Sequence, residues 1–282
     1  MDCFLECAII FASMAKPIKP INEIDLSRWR EYEEILTDSL WLIGRRDNSG
    51  AHTPRYWGNF VPQIPRQAML RFTRSGEVVI DPFAGLGTTL IEAQRLGRHC
   101  IGVELNPSVA EQARQHIQQE PATWVKWELI VGDSRAPETA CAVAEQLRRW
   151  GFKHAQLLLL HPPYHDIIQF SDDLRDLSNM PTTDQFCDSF EQVVANFAPL
   201  LEPKRFLVLV IGDKYQRGEW VPLGFYAMER VRKHGFRLKS ICVKDIQENR
   251  GKRGRQHLWR YRALRDNYYL FKHEYVMFFE KR

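Results

Sequence analysis

Residues 78–97, VVIDPFAGLGTTLIEAQRLG, decide the fold of this 282-residue chain. The stretch begins with a short β-branched run, which is typical of a buried strand, and ends with a periodic run closed by a glycine, which is typical of a helix. Between the two runs, Gly85 and Gly87 allow the backbone to turn sharply and to approach a ligand closely. A strand, a glycine turn and a helix in this order predict one unit of an α/β sheet.

The alternation of strand and helix continues along the rest of the chain. We predict strands over residues 77–81, 99–105, 127–133, 155–160, 206–213, 237–246 and 273–281. We predict helices over residues 29–43, 86–97, 106–119, 137–151, 183–201 and 222–235. Continuous apolar strands separated by helices favour a parallel sheet covered on both faces. The predicted fold is therefore a doubly wound, mostly parallel α/β sheet of seven strands, in which an antiparallel last strand completes a hairpin.

The bulk composition is that of an ordinary globular protein. Hydrophobic residues make up 44% of the chain and charged residues 26%, and a net charge of +4 does not by itself indicate a polyanionic partner. The six cysteines show no zinc-ligand spacing, so we expect reduced thiols, a cytoplasmic protein and no metal centre. Residues 1–28 are interpreted as an N-terminal extension that is neither a secretion signal nor a membrane span, and residues 29–282 as the main domain.

Carboxylates follow three successive predicted strands, at the edge where doubly wound sheets bind ligands. Asp81 precedes the glycine turn, and Glu104 and Asp133 end the next two strands. Position 90 is leucine and no Gly-Lys-Ser/Thr follows, which excludes the dinucleotide fingerprint and the Walker loop. These carboxylates and the glycine turn predict a pocket for an adenosine-containing ligand without pyrophosphate. Taken singly, each aspartate has an alternative role as a helix cap or turn residue.

Four segments, VVIDPFAGLGTTLIEAQRLG, GVEL, VGDS and LLLLHPPY, resemble in order the motifs of S-adenosylmethionine-dependent amino-methyltransferases that act on DNA. The resemblance covers roughly residues 29–282. Residues 56–73, YWGNFVPQIPRQAMLRFT, resemble the segment that closes over the methionine end of the cofactor in those enzymes. The resemblance implies a Rossmann-like methyltransferase fold with S-adenosylmethionine as its cofactor. It implies cofactor contacts from Asn59, Phe60, Asp81, Phe83, Gly85, Gly87, Thr88, Glu104 and Asp133.

The tetrad His161-Pro162-Pro163-Tyr164 follows the strand of four leucines, and the resemblance implies that it is catalytic. An exocyclic base amine is a poor nucleophile, and in this family two acceptors hold its protons: the side chain of the first tetrad residue and the carbonyl of the second. The prolines stiffen the turn, and Tyr164 offers a ring on which a flipped base can stack.

Histidine departs from the Asp, Asn or Ser that most members of this family have at the first tetrad position. It accepts a proton only as the neutral imidazole, so we expect methyl transfer to fall as His161 protonates, and a flat rate down to pH 5 would contradict its acceptor role. The alternative is that His161 only ends the strand while the Pro162 carbonyl acts. Asp at this position goes mostly with N6 of adenine and Ser with N4 of cytosine; histidine settles neither, and N4 of cytosine is favoured only slightly.

Two further segments are predicted to face the substrate. Residues 165–182 are interpreted as an active-site loop, with His165 and Asp166 near the target base or Asp166 capping a turn. Residues 245–272 form a basic insert, in which every charged side chain from Arg250 to Arg265 is Lys or Arg. We predict nucleic-acid contacts there, the alternative being a solvated charged loop. The candidate contacts are Arg250, Lys252, Arg253, Arg255, His257, Trp259, Arg260 and Arg262.

The sequence as a whole favours a site-specific DNA methyltransferase that acts on an exocyclic amino group. The alternatives are a base methyltransferase of RNA or tRNA, an N5-glutamine methyltransferase of proteins, and a non-catalytic nucleic-acid-binding protein on the same fold. The expected partners are DNA and, as a candidate, a cognate restriction endonuclease, with the chain a monomer or a homodimer.

Overall fold

The computed structural model describes residues 20–53, 58–246 and 256–282, and these residues build one eight-stranded sheet and a two-stranded hairpin. The eight strands are β1 (Leu40–Trp41), β2 (Val78–Asp81), β3 (His99–Glu104), β4 (Trp127–Val131), β5 (Ala155–Leu160), β6 (Leu201–Ile211), β9 (Phe236–Asp245) and β10 (His273–Lys281). The hairpin consists of β7 (Lys214–Gln216) and β8 (Glu219–Val221). The helices are α1 (Gln63–Phe72), α2 (Thr88–Arg95), α3 (Pro107–Ile117), α4 (Pro137–Arg149), α5 (Thr183–Phe197), α6 (Leu223–Lys233) and α7 (Gln256–Arg265).

The large sheet has the strand order β1-β9-β10-β6-β5-β2-β3-β4. All neighbours from β6 to β4 are parallel, whereas β10 is antiparallel to both β6 and β9. The predicted doubly wound, mostly parallel sheet with an antiparallel last strand is confirmed. The sheet has eight strands, not seven, because the two-residue β1 pairs with the outer edge of β9.

The helix predicted over residues 29–43 is wrong. The chain forms a short 3-10 helix over Leu26–Glu31, in which no residue is buried, and then the edge strand β1. Trp41 is almost fully buried and packs on Phe278 of β10, with ring centroids 5.9 Å apart, while its neighbours Leu40 and Leu42 are 57% and 69% exposed. Alternate residues therefore face the core and the solvent, which is the pattern of a strand, and long-range packing of one tryptophan overrides the local helical spacing.

The four leucines of β5 explain why the sheet is covered on both faces. All four are completely buried, and β5 lies between β6 and β2 in the middle of the sheet. Leu158 and Leu160 belong to the core that α4, α5 and α6 cover, whereas Leu157 and Leu159 belong to the core under α1, α2 and α3. Because successive side chains of a strand point to opposite faces, an unbroken apolar run requires apolar layers on both sides.

The predicted extension over residues 1–28 is described only from residue 20. Asn22 donates a hydrogen bond to the Arg71 carbonyl at 2.7 Å, and Glu23 forms an ion pair with Arg98 at 2.8 Å. The end of this segment therefore packs against α1 and the start of β3. Among the described residues, no helix is both long enough and apolar enough to cross a membrane.

Candidate active site

Asp81 stabilises the glycine turn after β2 by accepting hydrogen bonds from residues on either side of it. This carboxylate is fully buried, and it accepts hydrogen bonds from the Phe83 N–H at 2.9 Å and from the Thr89 hydroxyl at 2.5 Å. Gly85 and Gly87 have φ angles of +51° and +82°, a left-handed conformation that favours glycine. Burial raises the pKa of Asp81 to about 6. The structure therefore places Asp81 where it shapes the turn through its own hydrogen bonds.

Glu104 lies at the end of β3 and faces the same turn. Its carboxylate accepts from the Gly85 N–H at 3.0 Å and from the Asn106 N–H at 2.8 Å, one bond to each oxygen. Burial raises the pKa of Glu104 to about 6. Each oxygen retains a lone pair, so the carboxylate can accept further hydrogen bonds from the hydroxyl groups of a ribose.

Asp133 follows β4 and is already paired with a cation. The Arg135 guanidinium donates to its carboxylate at 2.9 Å, and the Arg135 backbone N–H donates to it at 2.9 Å. An adenine amine that bound to Asp133 would share the carboxylate with Arg135. Arg135 was not among the residues predicted from the sequence, and the two-residue spacing from Asp133 is the local signal for it.

The start of the predicted closing segment connects the glycine turn to the tetrad. The Thr88 hydroxyl donates to the Asn59 side-chain oxygen at 2.9 Å. Phe60 is buried and packs on His161 in a tilted stack, with ring centroids 4.6 Å apart and an interplanar angle of 31°. Arg46 fixes this segment by donating to the carbonyls of Asn59 at 3.1 Å and Phe60 at 2.6 Å. Residues 56 and 57 of the closing segment lie outside the described residues.

The remaining predicted residues near the turn are distributed as follows. Phe83 is partly buried and packs against the core beneath α5, and Thr88 is buried at the start of α2. Gly87 packs so tightly that a Cβ there would lie 2.9 Å from the Ile117 Cδ1. The structure thus brings the glycine turn, Asn59, Phe60 and Glu104 together, while the cofactor roles of these residues stay predictions.

A chain of polar groups runs through the tetrad into the last two strands. The His161 Nε2 lies 3.1 Å from the Tyr164 hydroxyl, which donates to the Glu274 carboxylate at 2.7 Å. Glu274 forms an ion pair with Lys244 at 3.0 Å, and both of these side chains are buried. Neither Glu274 nor Lys244 was predicted from the sequence. The carboxylate of Glu274, directly before the apolar run YVMFF of β10, is the signal that could have found this pair.

Burial sets the protonation of this chain. It lowers the pKa of His161 to about 4, against the opposing effect of Glu274. Burial and the Glu274 charge raise the pKa of Tyr164 well above its ordinary value. Burial also acts to raise the pKa of Glu274, but Lys244 and the other partners hold it below its ordinary value. At neutral pH, His161 is therefore a neutral imidazole, Tyr164 a phenol and Glu274 a carboxylate.

The Tyr164 ring rests on the backbone at the end of β6. A Cβ on Gly212 would lie only 2.9 Å from the Tyr164 Cε2, so the ring can pack against the backbone here because residue 212 has no side chain. Pro162 is buried and Pro163 is partly buried, which leaves the tetrad little freedom. The tetrad is thus held by the hydroxyl contact of Tyr164, by Gly212 and by the Phe60 stack.

The segment over residues 165–182 is a compact polar loop fastened to β7. His165 is buried with a φ of +52°, and its ring lies between the Met180 carbonyl at 2.7 Å and the Lys214 ammonium at 2.5 Å. Lys214 also donates to Asp166 at 2.8 Å. Asp166 therefore pairs with a lysine of the neighbouring hairpin. A Cβ on Gly58 would lie 2.5 Å from the Cζ of Phe170, so the loop packs closely against the closing segment at this glycine.

The basic insert is described over residues 245–246 and 256–272. The candidates Arg250, Lys252, Arg253 and Arg255 lie outside the described residues. α7 carries the other four: His257, Arg260 and Arg262 are exposed, and Trp259 is partly buried beneath the Arg262 guanidinium, 5.2 Å from the ring centroid. Over Gln256–Arg265 the insert is helical, not a loop.

The insert lies against the hairpin that contacts the loop over residues 165–182. Tyr268 stacks on Tyr215 of β7 at 4.2 Å, with the rings inclined by 16°. Asp213, two residues before Tyr215 along the chain, is buried. Its carboxylate accepts hydrogen bonds from the Trp220 indole N–H, the Gly224 backbone N–H and the Tyr275 hydroxyl. The basic helix is therefore connected through a few aromatic contacts to the edge of the sheet where the tetrad lies.

Among the described residues, one cluster brings together side chains that commonly bind metals. Ligand-type atoms of Asp47, His52 and Glu92 lie within 4.8 Å of one another. Arg95 supplies positive charge to this cluster, 3.3 Å from Glu92 and 3.7 Å from Asp47. The carboxylates are therefore already neutralised by a guanidinium, and this arrangement fits an ion-pair network that anchors residues 47–52 to α2.

About a third of the chain is similar in sequence to known proteins. Residues 13–115 match the N6_N4_Mtase family model, which is described as DNA methylase. Type II methyltransferase M.HindIII from Haemophilus influenzae is 51% identical over 94 residues, a match that covers 31% of this chain and 28% of that protein. Type II methyltransferase M.Cfr9I from Citrobacter freundii is 30% identical over 88 residues and M.SmaI from Serratia marcescens 35% over 79 residues, matches that cover 31% and 28% of this chain and 28% and 26% of those proteins.

Solved structures superpose on much of the chain at low sequence identity. TrmN from Thermus thermophilus superposes with a TM-score of 0.47 at 17% identity, covering 79% of this chain and 49% of that one. A methyltransferase from Pyrococcus furiosus superposes with a TM-score of 0.46 at 14% identity, covering 82% and 87%. The matches to the curated relatives span less than a third of their length. The match to the N6_N4_Mtase model runs through the closing segment, the glycine turn and Glu104, so this part of the chain is similar to DNA methylases.

Proposed function

We propose that the protein transfers a methyl group from S-adenosylmethionine to an exocyclic amino group of a base flipped out of DNA. N4 of cytosine is favoured slightly over N6 of adenine. The observation that carries this proposal is the stack of Phe60 on His161, in a segment whose Asn59 is bonded to Thr88 of the glycine turn. The expected cofactor pocket and the catalytic tetrad therefore share one wall.

The residues of the pocket fit an adenosine-containing cofactor. Gly85 and Gly87 present backbone without side chains, Glu104 offers carboxylate oxygens to ribose hydroxyls, and Asp133 offers an acceptor to the adenine amine. When bound, S-adenosylmethionine supplies an electrophilic methyl group on a sulfonium. The residues of the chain then orient the amine and exclude water from the site.

The tetrad supplies acceptors for the two protons of the target amine. The neutral His161 imidazole accepts one, and the Pro162 carbonyl accepts the other, which favours a pyramidal nitrogen whose lone pair points at the methyl group. After the nitrogen–carbon bond forms and the sulfur–carbon bond breaks, the nitrogen has one proton in excess. The imidazole accepts that proton and passes it to solvent, because a methylated cationic base nitrogen is far more acidic than an imidazolium.

We assign the DNA contact to the basic insert. His257, Arg260 and Arg262 are exposed on α7, and the exposed rings of Tyr261 and Tyr269 (60% and 86%) lie on or near it. Arginines neutralise phosphates and exposed aromatic rings stack on unpaired bases. The Tyr268–Tyr215 stack supports this assignment because it holds the insert beside the hairpin next to the tetrad.

The test is to offer labelled S-adenosylmethionine with duplex DNA, single-stranded DNA, tRNA and protein in parallel. We expect label in DNA, and chromatography of the digested nucleosides identifies N4-methylcytosine or N6-methyladenine. His161→Ala should reduce transfer by at least about a hundredfold, the scale on which a positioned acceptor acts. His154→Ala is the matched control, since His154 precedes the other end of the same strand β5. Label in tRNA or in protein would support the alternative acceptors, and no label together with no cofactor binding would remove the enzyme proposal.

A further inference from the structure

We infer that Glu274 and Lys244 are positioning residues that set the tautomer of His161, so that its Nδ1 presents a lone pair to the target amine. The inference rests on the proposed function and assigns a role to two residues outside the tetrad. It is carried by the chain of contacts from Lys244 through Glu274 and Tyr164 to His161, over 3.0, 2.7 and 3.1 Å.

The direction of the hydrogen bonds follows from the carboxylate end of this chain. An ionised carboxylate only accepts, so the Tyr164 hydroxyl must use its single proton to donate to Glu274. The tyrosine oxygen can then only accept from His161. The His161 Nε2 must therefore carry the ring proton, and in a neutral imidazole the lone pair is left on Nδ1.

Lys244 keeps the carboxylate end of the chain ionised. Lys244 and Glu274 are directly opposite each other in the β9–β10 register, and the side chains of both are only 9% exposed. A buried carboxylate without a cation would take up a proton and become a hydrogen-bond donor. In that state Tyr164 would be free to turn its proton towards His161, and the histidine would lose its defined acceptor.

Nothing else in the described part of the chain competes for the ring. The Tyr164 contact is the one hydrogen bond that His161 makes there, and Phe60 covers a face of the imidazole without offering a polar atom. The charged groups that act on His161 are Glu274 and Lys244. Among the described residues, Tyr164 is therefore the group that decides the tautomer.

The measurement is nitrogen NMR of the full-length protein labelled with ¹⁵N-histidine. His161→Asn identifies the signals of His161 among the nine histidines. We expect the wild-type protein to show His161 as the Nε2–H tautomer with an unprotonated Nδ1. A wild-type Nδ1–H tautomer would overturn the inference.

Glu274→Gln reverses the chain if the inference is right. Lys244 binds the amide oxygen of the new glutamine, the amide N–H₂ donates to the Tyr164 oxygen, and Tyr164 donates to the His161 Nε2. We expect the Nδ1–H tautomer and a fall in kcat of roughly tenfold or more, the scale of one lost hydrogen bond to a reacting group, with the KM for S-adenosylmethionine unchanged. An unaltered tautomer in this variant would overturn the inference.

A matched control lies at the other end of the same strands. Glu280 is opposite Arg237 in the β9–β10 register and forms an ion pair with it. Glu280→Gln should leave both the His161 tautomer and kcat unchanged. If Glu274→Gln fails to fold, Tyr164→Phe keeps the Lys244–Glu274 pair and removes only the hydroxyl, and it should replace the single tautomer by a mixture. A single Nε2–H tautomer in this variant would overturn the inference.

The two readouts separate the inference from the function on which it rests. Methylation of DNA by a protein whose His161 is the Nδ1–H tautomer contradicts the inference and leaves the proposed function standing. An Nε2–H tautomer in a protein that methylates no DNA contradicts the proposed function and leaves the assignment of the hydrogen-bond chain standing.

Discussion

Phe60 lies over the imidazole of His161, with ring centroids 4.6 Å apart. These residues come from two segments that the sequence separates widely, the closing segment and the tetrad after β5. Phe60 is buried, and its carbonyl accepts from Arg46 at 2.6 Å, so packing holds the ring and a hydrogen bond holds the backbone. The closing segment therefore positions the candidate acceptor and, through the Asn59–Thr88 contact, the glycine turn.

Phe60→Leu is expected to lower kcat by about tenfold. Leucine retains most of the apolar volume, so the free energy of unfolding should fall by less than about 1.5 kcal/mol, but the imidazole loses the flat surface that holds its plane. Steady-state kinetics and urea denaturation of the same preparation check both values. Phe72→Leu is the matched control, because Phe72 stacks on Phe206 at 4.2 Å at the other end of α1. Equal losses of kcat in the two variants would contradict a specific role for the stack.

The pH dependence of methyl transfer should differ from that of an exposed histidine. Burial lowers the pKa of His161 to about 4 from its ordinary value of 6.5, so the imidazole stays neutral well below pH 6. With both substrates saturating, we expect kcat to be flat from about pH 7 to about pH 5. The sequence-based expectation that a flat rate to pH 5 excludes the acceptor role is therefore wrong, since it assumed an imidazole that protonates near neutrality. Half-maximal kcat near pH 6.5 would contradict the lowered pKa of His161.

The affinity for S-adenosylmethionine should fall in mild acid because of Glu104. Burial raises the pKa of this carboxyl to about 6, so below that pH it is protonated and becomes a weaker acceptor for ribose hydroxyls. Calorimetric titration should show a Kd that rises as the pH falls through about 6. Glu104→Gln should bind the cofactor more weakly and with little dependence on pH in this range. Glu111→Gln on the exposed side of α3 should bind like the wild type, and a pH-independent wild-type Kd would contradict the role of Glu104.

Local motifs made much of the fold and part of the site predictable. Gly85, Gly87 and Glu104 follow their strands within a few residues, and the tetrad follows β5 directly, so the topology of a parallel sheet brings them to one edge. Glu274 could not be predicted in this way. It lies 110 residues from Tyr164, and only the antiparallel position of β10 between β6 and β9 brings it near the tetrad.

The errors in prediction have the same physical origin. Residues 29–43 have helical spacing, but Trp41 packs on Phe278 in the core. Residues 40–41 also pair with β9, which lies over 200 residues away along the chain. The compact form of the active-site loop depends likewise on Lys214, which reaches His165 and Asp166 from the neighbouring hairpin. Contacts with residues far along the chain leave no periodic pattern in the local sequence from which they could be predicted.

Asp81 should make the protein less stable as the pH rises. Its pKa is about 6 in the folded protein against an ordinary value of 3.8, so between these values the folded state binds more protons than the unfolded state. The stabilisation is complete below about pH 4 and is lost as the pH rises through 6, by about 3 kcal/mol at most. Asp81→Asn should remove this part of the pH dependence in urea denaturation, whereas Asp184→Asn on the exposed side of α5 should not. A parallel pH dependence in wild type and Asp81→Asn would show that the buried carboxyl is not the cause.

The salt dependence of DNA binding should report on α7. Arg260 and Arg262 are exposed on this helix, and each arginine that contacts a phosphate adds close to one to the slope of log affinity against log salt concentration. The double variant Arg260→Gln/Arg262→Gln should therefore bind duplex DNA more weakly at low salt, with a slope smaller by about two. Fluorescence anisotropy over a series of salt concentrations measures this slope. Arg232→Gln, which removes an exposed arginine of α6 paired with Glu229, is the control, and it should leave the slope unchanged. If the control lowers the slope as much as the double variant does, DNA lies across α6 and not along the basic insert.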